Sequence, residues 1–255
     1  MRNLQFLMGL VIAVGVSTSA TAADLAARPY TKAPPPIAAI YDWSGFYIGG
    51  NAGYGSSHNC WNFVSFAGAP LAAGEGCHDP DGVIAGGQVG YRWQSSQFLF
   101  GLEAQGDWSD IRGSRVSAPA FVLAPGDLTI NSRLRAFGLF TGEMGYAWNN
   151  VLLYVKGGAA VVDNRFTHTF TASNALINST TDTRWGAAVG AGFEYGFVPN
   201  WSFGVEYDHL FMGRETLNFV AAPGGVATSN SIRQDVDIVM ARINFRFGGS
   251  TLTRY

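Results

Sequence analysis

The sequence predicts an all-β fold, an eight-stranded antiparallel up-and-down transmembrane β-barrel, on three observations. The chain is 47% hydrophobic, with 33 glycines and 14% aromatic residues, yet beyond its first residues it has no run resembling a transmembrane helix. Its apolar residues alternate with polar ones at a period of two, as in strands. The connections between the alternating runs are short and long in turn, as in outer-membrane barrels.

The clearest alternation runs from Arg184 to Asp208 and is interrupted by Pro199-Asn200. In the first run, the phase that contains Trp185 is entirely apolar, whereas the other phase holds glycines and every charge. This pattern predicts two strands joined by a tight turn. Because the aromatic residues stand near the run ends with small aliphatic residues between them, the apolar phase is typical of a lipid-facing wall.

The same alternation predicts six further strands. Together with the two runs of the hairpin, the predicted strands are Gly45–Tyr54, Gly82–Trp93, Phe98–Trp108, Arg133–Trp148, Val151–Asp163, Arg184–Val198, Trp201–Asp208 and Asp235–Phe247. The long connections between them are Gly55–Asp81, Ser109–Ser132, Asn164–Thr183 and Leu210–Gln234. We expect these four as external loops, the short connections as periplasmic turns, and both termini in the periplasm because the strand number is even.

The chain ends predict export. A basic Arg2, an apolar run from Phe6 to Val16 and the site Ala20-Thr21-Ala22 indicate a signal peptide over residues 1–22. The alternative of a membrane-anchoring helix is disfavoured because the run is too short to span a bilayer. Four prolines favour an extended periplasmic tether over 23–44, with a simple unstructured terminus as the alternative. The barrel then covers 45–247, and 248–255 form a C-terminal extension.

Charge segregation decides which phase faces lipid. A soluble, lipocalin-like barrel would scatter Lys and Glu over its exterior, but here the ionisable residues fall on one phase. An Arg or Lys at mid-bilayer would cost about 2 to 4 kcal/mol, so this phase is expected to face the lumen. An eight-stranded barrel is only wide enough for its side chains, which predicts occlusion by an ion-pair network, with a narrow or gated path as the alternative. The predicted network is Arg92, Glu103, Asp107, Arg133, Arg135, Glu143, Lys156, Arg184, Glu194, Glu206, Asp208, Arg242 and Arg246.

The opposite phase predicts an aromatic girdle around an apolar band. Its predicted members are Phe46, Tyr54, Tyr91, Trp93, Phe98, Trp108, Tyr146, Trp148, Trp185, Tyr195, Phe197, Trp201, Phe203, Tyr207, Phe245 and Phe247.

The first long connection contains the only two cysteines, Cys60 and Cys77. In an oxidising compartment a disulfide is the natural interpretation, worth about 3 kcal/mol in the chain-entropy model. Two free thiols, or metal binding with His58 or His78, are the alternatives. The same connection holds the apolar residues Trp61, Phe63, Phe66 and Leu71, which we expect to cap the barrel mouth or to contact a partner.

No catalytic, cofactor-binding or metal site is predicted. Glu206, Asp208 and His209 are the nearest approach to an acid–base cluster, but no nucleophile is placed with a base by the sequence, and hydrogen bonding at the rim is the simpler interpretation. The net charge of −2 argues against nucleic acid as a partner.

The segments Tyr41–Gly55 (YDWSGFYIGGNAGYG) and Ala241–Gly249 (ARINFRFGG) resemble the outer-membrane immunogenic, porin-like family of Brucella and rhizobia. The Ala22–Leu25 junction and Ala33-Pro34-Pro35 are similar too. The resemblance implies a surface-exposed barrel like the small OmpA-like proteins, in the outer membrane of a Gram-negative bacterium. We expect a structural, surface-interaction role; the alternative is a narrow porin for small solutes or ions. The expected partners are lipid, lipopolysaccharide, a host or environmental ligand and a periplasmic contact.

Overall fold

The computed structural model describes residues 41–117, 127–221, 223 and 227–247, so the predicted signal peptide, most of the tether and the C-terminal extension lie outside the described residues. No described segment forms a helix long and apolar enough to cross a bilayer. The described strands are β1 (Gly45–Phe66), β2 (Ala69–His78), β3 (Asp81–Ser95), β4 (Phe98–Val116), β5 (Leu128–Trp148), β6 (Val151–Phe170), β7 (Leu176–Val198), β8 (Trp201–Ala221) and β9 (Thr228–Arg246).

Eight of these strands form a closed antiparallel ring, which confirms the predicted fold class. β3 to β9 pair in chain order, and β1 closes the ring by pairing with both β3 and β9. β2 pairs with β1 alone. All ring pairings are antiparallel, as expected for an up-and-down barrel.

The two ends of the ring differ in their connections. Tight turns at Ser96, Asn149 and Asn200, each with a positive φ, join β3 to β4, β5 to β6 and β7 to β8. These are the three predicted short connections, and they share one end of the barrel, called here the short-turn end. The opposite end, called the long-strand end, holds the four predicted long connections.

The described parts of those long connections are largely strand, so the expectation of long loops there was wrong. β1 continues to Phe66, turns at Ala67-Gly68 where both residues have positive φ, and returns as β2. β6 and β7 likewise continue to within a few residues of each other. At about 3.3 Å per residue and a tilt of about 40°, a 20-residue strand rises about 50 Å, twice the roughly 25 Å apolar band of an outer-membrane barrel.

A reversal of polarity along each strand explains why the predicted strands are shorter than the observed ones. On β9, the outward residues change from Ile243 and Val239 to Asp237 and Asp235, while the inward residues change from Arg242 to Ile238. The alternation continues without interruption, but polar residues now face outward because the wall there meets water rather than lipid. The membrane-spanning part therefore ends where the polarity reverses.

All sixteen predicted girdle side chains lie on the outer wall; Tyr146 and Phe245 are half-buried and the others exposed. Most of them cluster at the short-turn end, where Tyr91 packs against Trp93 and Tyr146 against Trp148. Next to the apolar band on the long-strand side runs an outer ionic ring, formed by Asp81, Asp110, Arg112, Arg133, Arg135, Asp163, Arg165, His209, Asp235 and Asp237.

The barrel interior is filled by stacked layers of side chains. A lower apolar layer near the short-turn end contains Trp43, Leu99, Ala147, Leu152 and Tyr154. A central apolar layer lies toward the long-strand end and contains Ile84, Ile111, Leu134, Phe137, Leu139, Ala160, Val162, Ala188, Leu210, Met212, Val236, Ile238 and Met240. An upper apolar layer near the long-strand end contains Trp61, Ile130, Phe166, Leu217, Phe219 and Ile232.

Candidate functional site

Between the lower and central apolar layers lies a layer of charges, called here the ion-pair layer. It comprises Arg92, Glu103, Glu143, Lys156, Glu194, Glu206, Asp208 and Arg242. Each of the strands β3 to β9 contributes at least one of these side chains, because the period of two points the same phase inward on every strand. β1 contributes the hydroxyl of Tyr47, which donates to Glu103 Oε2 at 2.7 Å.

Arg92 organises one half of the ion-pair layer. Its Nε donates to Glu143 Oε2 at 2.8 Å, and its two terminal nitrogens donate to the two oxygens of Glu194 at 3.0 and 2.8 Å. The guanidinium also lies over the Tyr47 ring, 4.4 Å from its centroid. Bidentate pairing with stacking is the arrangement for which arginine is best suited.

Arg242 organises the other half. Its guanidinium donates to Glu103 and to Glu206, and its Nη1 also donates to the Tyr154 hydroxyl at 3.1 Å. Lys156 Nζ lies 2.6 Å from Glu206, 3.4 Å from Glu103 and 3.3 Å from Asp208. The side chains of Lys156, Arg242 and their acidic partners have no exposed surface, so each charge depends on its protein partners rather than on water.

The layer is more acidic than the predicted network, which has seven basic and six acidic residues. The layer holds three basic and five acidic side chains. Among the described residues Asp208 has the Lys156 ammonium 3.3 Å from its Oδ1, but neither carboxylate oxygen has a well-aligned hydrogen bond. Asp107 is buried beside it and accepts from Gln105 Nε2 at 2.8 Å. Arg246 lies nearer the short-turn end, over the Tyr41 ring at 4.7 Å.

The assignment of Arg133 and Arg135 to the lumen was wrong, because both lie exposed on the outer wall. Arg133 pairs with Asp110 at 3.2 Å and Arg135 with Asp163 at 2.7 Å. The reason is a β-bulge between Leu134 and Ala136, which inserts one residue and exchanges the faces of the strand on either side. Strict alternation through Arg135 therefore assigned both arginines to the wrong face.

Arg184 faces inward but lies outside the ion-pair layer, in a polar layer between the central and upper apolar layers. Its Nε donates to Asp182 at 2.6 Å and its Nη1 to the Ile232 carbonyl at 3.3 Å. In the same layer, Gln234 and Asn164 exchange two amide hydrogen bonds of 3.0 and 3.1 Å. This polar layer could not be predicted from the sequence, because the predicted strands did not extend above the membrane.

Cys60 and Cys77 form a disulfide and stand directly opposite each other on β1 and β2. His58 Nε2 lies 3.3 Å from Cys60 Sγ, and its Nδ1 lies 2.5 Å from Asp79. The sulfurs are bonded to each other and offer no thiolate, which zinc requires. His78 turns away and lies 3.0 Å from Ser132 Oγ.

The three residues weighed as an acid–base cluster are not brought together. Glu206 and Asp208 point into the lumen, whereas His209 points outward and lies 2.6 Å from Asp237. A strand places consecutive residues on opposite faces, so neighbours in sequence are separated by the barrel wall.

The long-strand end of the lumen contains buried polar groups that the sequence did not reveal. Glu75 of β2 accepts from Asn230 Nδ2 at 2.8 Å and from the Ser117 hydroxyl at 3.3 Å. Burial raises the pKa of the Glu75 carboxyl from 4.5 to about 7. His168 packs edge-on against Trp61 and its Nδ1 lies 2.6 Å from Asn178, while burial lowers the pKa of His168 to about 4.

Two apolar residues of the first connection help to fill the long-strand end of the lumen. Trp61 and Phe63 are buried inside the ring, as a cap requires, while Phe66 is half-buried near the β1–β2 turn. The side chain of Leu71 lies outside the described residues.

Comparisons with known proteins agree with this architecture. The family model described as outer membrane protein beta-barrel domain matches residues 8–233. The chain belongs to this family. As a member of the outer-membrane β-barrel family, it is a protein of the outer membrane.

The curated relatives of this outer-membrane β-barrel include immunogenic proteins, as the resemblance implied. It is 32% identical over 213 residues to the 31 kDa outer-membrane immunogenic protein of Brucella melitensis, covering 81% of this chain and 86% of the relative. It is 28% identical over 175 residues to the 22 kDa outer membrane protein of Rhizobium leguminosarum, covering 65% and 62%. Among solved structures, the outer membrane protein OprG of Pseudomonas aeruginosa aligns with a TM-score of 0.49 at 14% identity, covering 81% and 97%.

Proposed function

We propose that this outer-membrane barrel is a non-enzymatic surface-interaction protein whose lumen is closed. The observation that carries the proposal is the stacking of the lower apolar layer, the ion-pair layer and the central apolar layer across the membrane-spanning part. The barrel then serves as an anchor, and its function resides in the part that projects beyond the membrane.

Two physical features support closure. In the ion-pair layer every basic side chain bonds at least two carboxylates, so the charges hold one another across the lumen instead of lining a water path. On the short-turn side Leu99 and Leu152, and on the other side leucine, isoleucine and valine side chains of the central apolar layer, fill the ring with almost no exposed surface. Apolar constrictions of this kind exclude water and with it the ions that water carries.

The lengths of the connections support one orientation of the barrel. We infer that the tight turns and both termini face the periplasm, that residues 1–22 are removed on export, and that the 23–44 tether reaches a periplasmic partner. The long-strand end then faces the exterior, where lipopolysaccharide surrounds the wall and β1, β2 and the β6–β7 and β8–β9 connections meet a host or environmental ligand. Short turns inside and long connections outside are the common arrangement of these barrels.

Solute flux tests closure. In proteoliposome swelling, vesicles containing the purified protein should take up arabinose no faster than protein-free vesicles, while a general porin serves as the positive control. Swelling at a rate proportional to the amount of protein would overturn closure and favour the narrow porin.

Surface labelling tests the orientation. Asn174 lies at the β6–β7 connection and Asn149 at a tight turn, and both are single turn positions with positive φ. A membrane-impermeant maleimide should label Asn174→Cys on intact cells, whereas Asn149→Cys should react only after the outer membrane is opened. The opposite pattern would contradict the orientation.

A further inference from the structure

The barrel wall is interrupted between β7 and β8. Ser179 pairs with Val220 and Ala187 with Phe211, but residues 180–186 of β7 have no partner among residues 212–219 of β8. In the other described ladders, an interruption skips at most two residues on either strand. β7 remains paired with β6 and most of this β8 segment with β9, so the wall lacks a backbone ladder between β7 and β8 over this stretch, which is called here the slit.

Local features of β8 agree with this interruption of the ladder. Gly213 has φ of +69°, a left-handed conformation that favours glycine, and it lies where the pairing of β8 with β9 is interrupted. The four residues 213–216 are all exposed, so the in–out alternation seen along the rest of β8 is lost. The backbone N–H and C=O groups that would pair across the slit therefore need other partners.

The slit begins at the boundary of the membrane. On its short-turn side stand Trp185 of β7 and Phe211 of β8, which are both exposed on the lipid-facing wall. Next to it lie His209 and Asp237 of the outer ionic ring. The slit is therefore level with the head groups of a lipid leaflet rather than with its hydrocarbon.

Arginines surround the slit. Arg165 on β6 stands opposite Thr181, and Arg214 on β8 stands directly opposite Arg233 of β9. Arg165 and Arg214 are exposed and have no ion-pair or hydrogen-bond partner among the described residues, whereas Arg233 pairs with Asp235 at 3.3 Å. Like charges directly opposite on paired strands are unfavourable unless an anion lies between them.

A buried donor lies at the inner edge of the same slit. The Arg184 side chain is 2% exposed, and its Nη2 has no acceptor among the described residues. Asp182 binds the Nε side of this guanidinium, and the half-exposed Glu215 on the opposite bank lies 3.8 Å from Nε. The Nη2 side is thus left for an acceptor from outside the chain.

We propose that the slit between β7 and β8 binds the phosphorylated head group of an outer-leaflet lipid. The phosphate lies between Arg165 and Arg214, accepts hydrogen bonds from the unpaired backbone N–H groups, and reaches toward Arg184, while the acyl chains remain against Trp185 and Phe211. A phosphate fits because it offers several acceptor oxygens and full charge to donors on both banks. The lipid completes a wall that the chain leaves open.

The test measures retention of lipid A by the purified full chain in zwitterionic detergent, by native mass spectrometry. The double variant Arg165→Gln/Arg214→Gln changes only exposed side chains. The control Arg112→Gln/Arg115→Gln removes the same charge from β4, away from the slit. We expect the first variant to lose at least about tenfold in affinity and the second to retain wild-type binding. Dephosphorylated lipid A should not be retained.

Hydrogen exchange provides a second readout. Lipid A should slow exchange in residues 180–186 and 212–219 of the wild type and leave the β4–β5 wall unchanged. Equal retention by the two variants, no change in exchange at the slit, or displacement of lipid A by an equal concentration of inorganic phosphate would each overturn the proposal.

The physiological meaning of this site rests on the proposed orientation, because lipid A occupies the outer leaflet. The binding measurement uses purified protein and does not depend on orientation. If maleimide labelling contradicts the orientation while lipid A still binds, the orientation is wrong and the phosphate site stands. If labelling agrees with the orientation but lipid A does not bind, only the phosphate site is wrong.

Discussion

The barrel carries two sets of ion pairs that differ in surroundings. In the ion-pair layer, the side chains of Arg242, Glu103 and Glu206 have no exposed surface. In the outer ionic ring, Arg135 and Asp163 pair at 2.7 Å with side chains 43% and 34% exposed. The same kinds of charged groups therefore pair both with and without access to water. When one member of a pair is lost, the burial of the remaining charge decides how much stability is lost.

The largest expected effect is at Arg242. Arg242→Met leaves Glu103 and Glu206 buried with Lys156 as their remaining basic partner, so the free energy of unfolding should fall by about 3 to 5 kcal/mol. Urea unfolding of the refolded barrel in phospholipid vesicles measures this. The matched variant Arg135→Met changes the exposed set, and a loss below about 1 kcal/mol for both would remove the distinction between lumen and wall.

Glu75 differs from the carboxylates of the ion-pair layer, because its hydrogen-bond donors are neutral groups and it has no cationic partner among the described residues. Its folded-state pKa of about 7 exceeds the ordinary 4.5, so the folded state holds the proton more tightly than the unfolded state. Stability of the β1–β2 hairpin should therefore be highest below about pH 4.5, fall as pH rises to about 7, and be lower by about 3 kcal/mol above that.

Hydrogen exchange of β2 at pH 5 and pH 8 measures this pH dependence. Glu75→Gln should abolish it, whereas Glu215→Gln, which removes an exposed carboxyl, should leave it intact. A wild-type hairpin whose protection rises between pH 5 and pH 8 would show the opposite sign and contradict the buried neutral carboxyl.

Two tyrosines allow the same comparison between lumen and outer wall, with a smaller expected loss of stability. The Tyr154 hydroxyl lies 2.5 Å from Glu206 Oε2 in the lumen, and the Tyr146 hydroxyl donates to Gln97 at 2.8 Å on the outer wall. Tyr154→Phe should cost about 1 to 3 kcal/mol because it leaves buried charges with one partner fewer. Tyr146→Phe should lower the free energy of unfolding little, since water replaces the lost hydrogen bond. Equal losses for the two variants in urea unfolding would contradict this difference between lumen and wall.

The smallest effect is expected on the outer wall. Arg135→Gln should lower the free energy of unfolding by at most about 1 kcal/mol, and this loss should vanish in high salt because exposed pairs are screened. Unfolding at low and high salt checks this, with Arg242→Gln as the comparison, whose loss should persist. A salt-insensitive loss at Arg135 would place that pair in a drier environment.

The eight strands could be predicted from the period of two, the tight turns from the short connections, and the inward direction of Arg92, Glu103, Lys156 and Arg242 from the segregation of charge to one phase. The errors have identifiable causes. One inserted residue at the β5 bulge moved Arg133 and Arg135 to the wrong face. Above the membrane the polarity of the two phases reverses, so the predicted strands were too short; the last one was predicted to begin at Asp235, whereas β9 begins at Thr228.

Other features could not be predicted because they depend on residues far apart in the chain. The slit needs both β7 and β8 to be located, and its signals are only a glycine and a run of four exposed residues. The buried Glu75 lies in a connection interpreted as loop, and its partners Asn230 and Ser117 come from other strands. The layering of the lumen likewise emerges only when eight strands set their registers against one another.

Single-channel recording in planar bilayers tests the closed lumen most directly. The purified wild-type barrel should give no resolved openings, and a variant that removes bulk from both apolar layers, Leu99→Ala/Leu139→Ala, should give small openings if it folds. Stable, reproducible openings of the wild-type protein, with a conductance that scales with bulk salt, would contradict a lumen closed by paired charges and apolar layers.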